Sequence, residues 1–267
     1  MRKLLCKYLP KWALRRVFPW IRPGFIGHDA TFLLDDAGTR IMNNLGRPRH
    51  DFCRLADRSK SIGADTLYLF SINERDGYPS VNPFKHGHWF GPVDEDVMED
   101  WDRKFIDAAR RGLSSVIWLM PDDSPGVYRA LRENPEGLAE FTRKIYKRFR
   151  WAVTGWCIAL EPEEYKHVFP SIQAAARALK AEGADYIGCH GVTGSTWGTM
   201  STPECNVHFH QYGWDKSPAY IESETRHIAG RIGSRKLVAA EYNRSSNNPE
   251  QGRAAIRGGA IATGNGR

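Results

Sequence analysis

The chain has 267 residues, 41% of them hydrophobic and 12% aromatic, with a formal net charge of +7. That suits one sizeable globular domain and excludes a disordered, collagen-like or repeat-built chain. No run is long enough and apolar enough to span a membrane.

The first 22 residues hold Arg2, Lys3, Lys7, Lys11, Arg15, Arg16 and Arg22 and no acid, so these seven account for the whole net charge of +7. The remainder is neutral on balance, and no specific nucleic-acid partner is predicted. Trp12, Phe18, Trp20 and Ile21 interleave with the cations. Such a segment fits an anionic surface. It also fits a first helix that covers the bottom of the domain with its cations solvated, which is the plainer reading. Lys7 and Lys11 interrupt any signal-peptide core. Residues 1–38 are therefore set apart as a basic segment, cover or anchor, from a domain at 39–267.

From there strand and helix patterns alternate. Strand-like runs fall at 39–45, 65–71, 115–120, 155–161, 184–189, 205–212, 236–241 and 259–263. Helical patterns fall at 51–62, 95–111, 124–150, 170–182, 219–233 and 250–257. Two junctions are alike, Lys-Ser-Ile-Gly-Ala-Asp ending at Asp65 and Lys-Ala-Glu-Gly-Ala-Asp ending at Asp185. Each reads as a helix closed by glycine and followed at once by a strand. The alternation predicts a parallel sheet, and eight units predict an α/β fold, a (β/α)8 TIM barrel with its last helix missing or truncated.

Two strand-like runs each end in a glutamate. Gly-Trp-Cys-Ile-Ala-Leu-Glu ends at Glu161, and Lys-Leu-Val-Ala-Ala-Glu at Glu241. The C-terminal ends of parallel strands are where α/β barrels keep their chemistry. If these are the fourth and seventh strands, the carboxylates face one another across the mouth, as glycoside hydrolysis requires. If the first of these strands runs longer, Glu163 shares the face of Glu161 and is the alternative acid.

Three stretches, residues 156–165 (Trp-Cys-Ile-Ala-Leu-Glu-Pro-Glu-Glu-Tyr), 207–214 (Val-His-Phe-His-Gln-Tyr-Gly-Trp) and 238–243 (Val-Ala-Ala-Glu-Tyr-Asn), carry a family resemblance. The chain resembles the superfamily of (β/α)8 retaining glycoside hydrolases, from about residue 39 onward. Residues 260–267 are similar to the eighth-strand region of uncharacterised glycosidase-like groups within it. The resemblance implies Glu161 as acid/base and Glu241 as nucleophile. It implies that His210 and Tyr212 orient the nucleophile and touch the sugar, with Trp214, Trp197, Asn243 and Asp122 as further substrate-binding residues. Two positions depart from the pattern. Leu160 stands where the superfamily usually has an Asn that donates to the sugar 2-hydroxyl, and residues 258–267 lack the usual Trp platform. A carbohydrate-binding or structural barrel without catalysis is therefore the alternative to a hydrolase.

The other candidates are weaker. His190, His208 and His210 could meet at a metal, but no acid on a first strand completes a barrel metal cluster, and neither metal nor cofactor is predicted. Asp122 either binds sugar hydroxyls or caps the next helix. Residues 73–92 carry Tyr78, Phe84, His86, His88, Trp89 and Phe90, which suit either sugar stacking or packing of a lid. The cysteines, Cys6, Cys53, Cys157, Cys189 and Cys205, form no Cys-x-x-Cys pair. They read as small buried hydrophobes, and the pattern slightly favours a reducing, cytoplasmic compartment.

Overall fold

The computed structural model describes residues 11–21, 32–34, 40–42, 45–61, 63–74, 80–213, 216–241 and 249–264. The two similar junctions behave alike. Gly63 and Gly183 take φ 85° and 88°. Ala64 N then donates to Ser59 O and Ala184 N to Leu179 O, both at 3.0 Å. Glycine reaches this left-handed conformation without the Cβ penalty, so each helix stops and hands over to a strand within two residues.

The elements are α1 (Lys11–Val17), β1 (Phe32–Leu34), β2 (Arg40–Met42), α2 (Arg49–Ser61), β3 (Thr66–Phe70), α3 (Glu95–Arg110), β4 (Ser114–Met120), α4 (Pro125–Glu133), α5 (Gly137–Phe149), β5 (Val153–Leu160), a 3₁₀ segment (Pro162–Val168), α6 (Phe169–Ala181), β6 (Ile187–His190), α7 (Trp197–Met200), β7 (Val207–Gln211), α8 (Pro218–Ile232), β8 (Lys236–Glu241), α9 (Pro249–Gly258) and β9 (Ala262–Thr263). Strands β3 to β9 form one parallel sheet in chain order. The sheet curls, because Tyr68 on β3 meets Phe209 on β7, four strands away, with ring centroids 5.8 Å apart.

This is the expected TIM-barrel order with two corrections. The run at 39–45 is not a parallel barrel strand, since its described part, β2, pairs antiparallel with β1 in a separate two-stranded sheet. Leu45, at the end of the run, reaches the main sheet, donating N–H to Phe70 O at 3.0 Å. The helix expected over 124–150 is two helices. Pro135 excludes the helical conformation at Asn134, which sits at φ −132° and ψ 79° and ends α4.

Period-2 alternation sorts the strand side chains into two apolar layers. Tyr68, Phe70, Val116, Trp118, Cys157, Phe209 and Val238 fill the inside of the curl. Leu67, Leu69, Ile117, Leu119, Trp156 and Ile187 face the helices, packing with Phe105, Ile145, Phe149, Ile172 and Leu179. Leu14, Phe18 and Ile21 of the basic segment join that outer layer. Phe18 stacks on Trp151 at 6.2 Å, and Trp20 Nε1 donates to Ala109 O at 2.9 Å. Both contacts lie at the N-terminal end of the strands, opposite the two glutamates. Cys157, Cys189 and Cys205 are buried free thiols and Cys53 is half-buried. No helix among the described residues is long and apolar enough to cross a membrane.

Candidate functional site

Strand β5 stops at Leu160, one residue earlier than expected, and Glu161 follows at φ 49° and ψ 50°. A non-glycine residue in the left-handed region costs on the order of 1–3 kcal/mol and persists only where its surroundings hold it. Glu161 N donates to His190 O at 2.6 Å, and Glu164 N donates to Glu161 O at 3.0 Å. The Tyr165 hydroxyl donates to Leu160 O, and its ring stacks on Tyr128 at 4.5 Å. Pro162 lies so close to Gly198 that a Cβ there would come within 2.4 Å of Pro162 Cγ.

Glu241 is the last residue of β8 and is 4% exposed. Val238 faces the inside of the curl and Ala239 the helices, so strict alternation would turn Glu241 toward the helices. The ladder shifts register at this point. His210 pairs with Ala239, whereas Gln211 pairs with Glu241. Ala240 is the extra residue of a β-bulge, a device that re-aims the side chain that follows. Gln211 is two residues beyond inward-facing Phe209, so the bulge brings Glu241 into register with the inner face. Because β5 and β8 run parallel in one sheet, Glu161 and Glu241 lie at the same, C-terminal edge.

The edge between them was only partly foreseen. The Trp118 and His190 rings meet inside the curl, centroids 4.9 Å apart and tilted by 39°, next to Leu160, which is buried on the same face. Trp118 sits within a wholly apolar run, which hid its place beneath the mouth. Glu74 caps α4 by accepting from Val127 N at 3.0 Å, where the helix dipole favours an anion.

His210 and Tyr212 lie on the helix side of the sheet. Phe209 points inward, so both neighbours of odd parity point to the helices. His210 is 0% and Tyr212 1% exposed, which leaves neither ring open to a sugar. The Tyr212 hydroxyl lies 2.6 Å from Thr225 Oγ1 on α8. The Tyr212 N–H donates to Glu241 O at 2.7 Å. The histidines form an ordered line. Thr199 Oγ1 donates to Cys189 O at 3.3 Å and so accepts from His208 Nδ1 at 3.0 Å. His208 Nε2 lies 3.2 Å from His210 Nδ1, and His210 Nε2 faces Glu224 Oε1 at 3.9 Å. Burial pushes the His208 imidazole well below its usual range, helped by the charges of His210, His190 and Arg231. Burial and Arg231 lower His210 to about 3. His190 lies on the opposite face of the sheet from His208 and His210, so these three cannot converge on one ion. No group of three or more His, Cys, Asp or Glu side chains suited to a metal occurs among the described residues.

Asp122 is buried just beyond β4, where its carbonyl accepts from Ser124 Oγ at 2.9 Å. Trp197 packs on Phe169 at 4.4 Å, with Lys166 Nζ 5.0 Å from its ring centroid. Phe84 and Phe90 are buried, Phe84 against Phe141 at 5.0 Å, whereas His86 and His88 are exposed. Trp214, Asn243 and Tyr78 lie outside the described residues.

No family model and no curated protein sequence matches the chain. Solved structures do. An endo-1,4-β-mannanase from Rhizomucor miehei superposes with a TM-score of 0.64 at 12% identity, covering 90% of this chain and 88% of that one. A rice β-glucosidase gives 0.59 at 9% identity over 92% and 90%. A glycoside hydrolase family 5 protein from Bacteroides vulgatus ATCC 8482 gives 0.60 at 11% identity over 89% of this chain. The chain spans 63% of the length of that last protein. At these identities the likeness concerns the fold alone: the chain shares the barrel architecture of these solved structures.

Proposed function

We propose that the chain is a glycoside hydrolase that cleaves a poly- or oligosaccharide by a retaining, two-glutamate mechanism. Glu241, as carboxylate, attacks the anomeric carbon while Glu161 donates its proton to the departing glycosidic oxygen. Glu161 then takes a proton from water, which hydrolyses the glycosyl-enzyme. The observation that carries the reading is the backbone at the two strand ends. Glu161 takes a left-handed conformation and the ladder shifts register just before Glu241, at one edge of one sheet. Strain and bulges of this kind cluster at functional sites. Such a pair would need its carboxyls about 5–5.5 Å apart.

The test is turnover of a panel of aryl glycosides and β-linked glycans, headed by β-1,4-mannan because similar folds include mannanases. Release of sugar with retained anomeric configuration supports the reading. Leu160 favours a second one. It is apolar and buried at the position where a hydrogen-bond donor to the sugar would stand, which suits a carbohydrate-binding barrel without catalysis. Sugar binding without turnover across the panel would select that alternative.

A further inference from the structure

Glu163, two residues beyond the proposed acid/base, has its own set of partners. Its Oε1 accepts from Ser195 Oγ at 2.6 Å and lies 3.5 Å from Gly198 N. Ser195 Oγ in turn accepts from Trp197 N at 3.2 Å. Glu163 Oε2 is buried and has no hydrogen-bond partner among the described residues. The side chain is thus pinned through one oxygen to the loop that leads from β6 into α7. Gly198 supplies one of those donors and also takes the close approach of Pro162. Glu161, Pro162 and Glu163 are consecutive, so the strained residue is tied to β6 through His190 O on one side and to α7 through Glu163 on the other. An acid whose oxygen is committed to two donors of a neighbouring loop is poorly placed to give a proton to substrate. That removes Glu163 as an alternative to Glu161 and leaves it another task.

We propose that Glu163 is a positioning residue for Glu161: its hold on Ser195 and Gly198 keeps the left-handed turn that presents the proton donor. The inference rests on Glu161 being the acid/base. Releasing the clamp lets residue 161 relax toward an ordinary backbone conformation, and displacements of about 1 Å at a catalytic group cost rate steeply. The loss must fall on the step that needs the proton.

The experiment compares Glu163→Ala, Glu163→Gln and Ser195→Ala on aryl glycosides whose leaving groups range from dinitrophenol to simple phenol. The Ala variants are expected to lose about 10-fold or more in kcat/KM on the poor leaving groups and little on dinitrophenol. Glu163→Gln, which keeps an acceptor for Ser195 and Gly198, is expected to recover most of the loss. In a Glu161→Gln background, Glu163→Ala should add nothing to the glycosylation step. A loss equal across all leaving groups, or one that adds fully to Glu161→Gln, overturns the inference. A crystal structure of Glu163→Ala tests it without turnover. Residue 161 is expected to leave φ near 49°, and an unchanged turn refutes the clamp. If the wild type turns over no glycoside while the turn does relax in Glu163→Ala, the hydrolase reading fails and the clamp stands as a device of the fold.

Discussion

Gln211 lies opposite Glu241 across the β7–β8 ladder, although its predecessor His210 lies opposite Ala239. One residue, Ala240, absorbs the difference. A strand without it would direct the last carboxylate of β8 among the helices, where a lone charge is costly. With it, Glu241 pairs with Gln211, two residues beyond inward-facing Phe209.

Glu241→Gln is accordingly expected to abolish glycoside turnover, by at least about 10³-fold in kcat, because the attacking charge is gone. The fold should persist, since a neutral amide replaces a carboxylate that is 4% exposed. Thermal unfolding followed by circular dichroism, beside the kinetic assay, checks both halves. Wild-type-like turnover in this variant would remove Glu241 from the mechanism.

Glu161→Gln should divide the two half-reactions. Dinitrophenyl glycosides need little proton assistance, so formation of the glycosyl-enzyme should stay fast while its hydrolysis slows. Azide, a nucleophile that needs no general base, should speed release and yield the glycosyl azide. A pre-steady-state burst that azide accelerates is the expected signature, and its absence would argue for another acid.

Acid stability should report His210. Its folded-state pKa of about 3 lies below the unfolded imidazole value of 6.5. Between these values the unfolded chain binds the additional proton, so stability is complete above about pH 6.5 and falls as pH drops toward 3, by up to about 1.4 kcal/mol per pH unit for this group. His208, also depressed by burial, acts in the same direction. His210→Gln should flatten the dependence of the melting temperature on pH in that window. A slope equal to that of wild type would show that other groups carry it.

The basic segment calls for substitution rather than deletion. Leu14, Phe18 and Ile21 are buried, so removing residues 1–22 would open the outer layer as well as remove charge. We predict that Lys3 and Lys7 changed together to Gln will weaken retention on heparin or anionic vesicles at low salt and change the stability by less than about 1 kcal/mol. Unchanged retention would make the segment a structural cover alone.

Much of the barrel could be read from the chain because each parallel strand is a short apolar run set between helix signals. The glycines at 63 and 183 fixed two junctions to the residue, and Glu241 ends its strand where the run ends. What stayed hidden is parity. A strand buried on both faces is apolar on both, so Val-His-Phe-His-Gln does not say which of His208 or Phe209 enters the barrel. The surroundings decide that: Tyr68 receives Phe209, while Thr199 and Glu224 receive the histidines. Bulges are invisible for a related reason, since Val-Ala-Ala-Glu reads alike with or without a register shift. The break at Pro135 was legible in principle, and the amphipathic pattern on either side of it masked it.

Three of the thiols give the fold an internal clock. Cys157 lies on β5, Cys189 on β6 and Cys205 just before β7, all buried. The hydrogen bond with Cys205 and burial raise the Cys189 thiol well above its ordinary value, and burial does the same for Cys157. A thiol reagent attacks only the thiolate of an accessible sulfur. Cys53, on α2, offers the early reaction among the described cysteines. The other three can react only when the middle of the sheet opens, Cys157 on its inner face and Cys189 and Cys205 on its helix side, so the rate at which each sulfur is labelled records how often that part of the barrel opens.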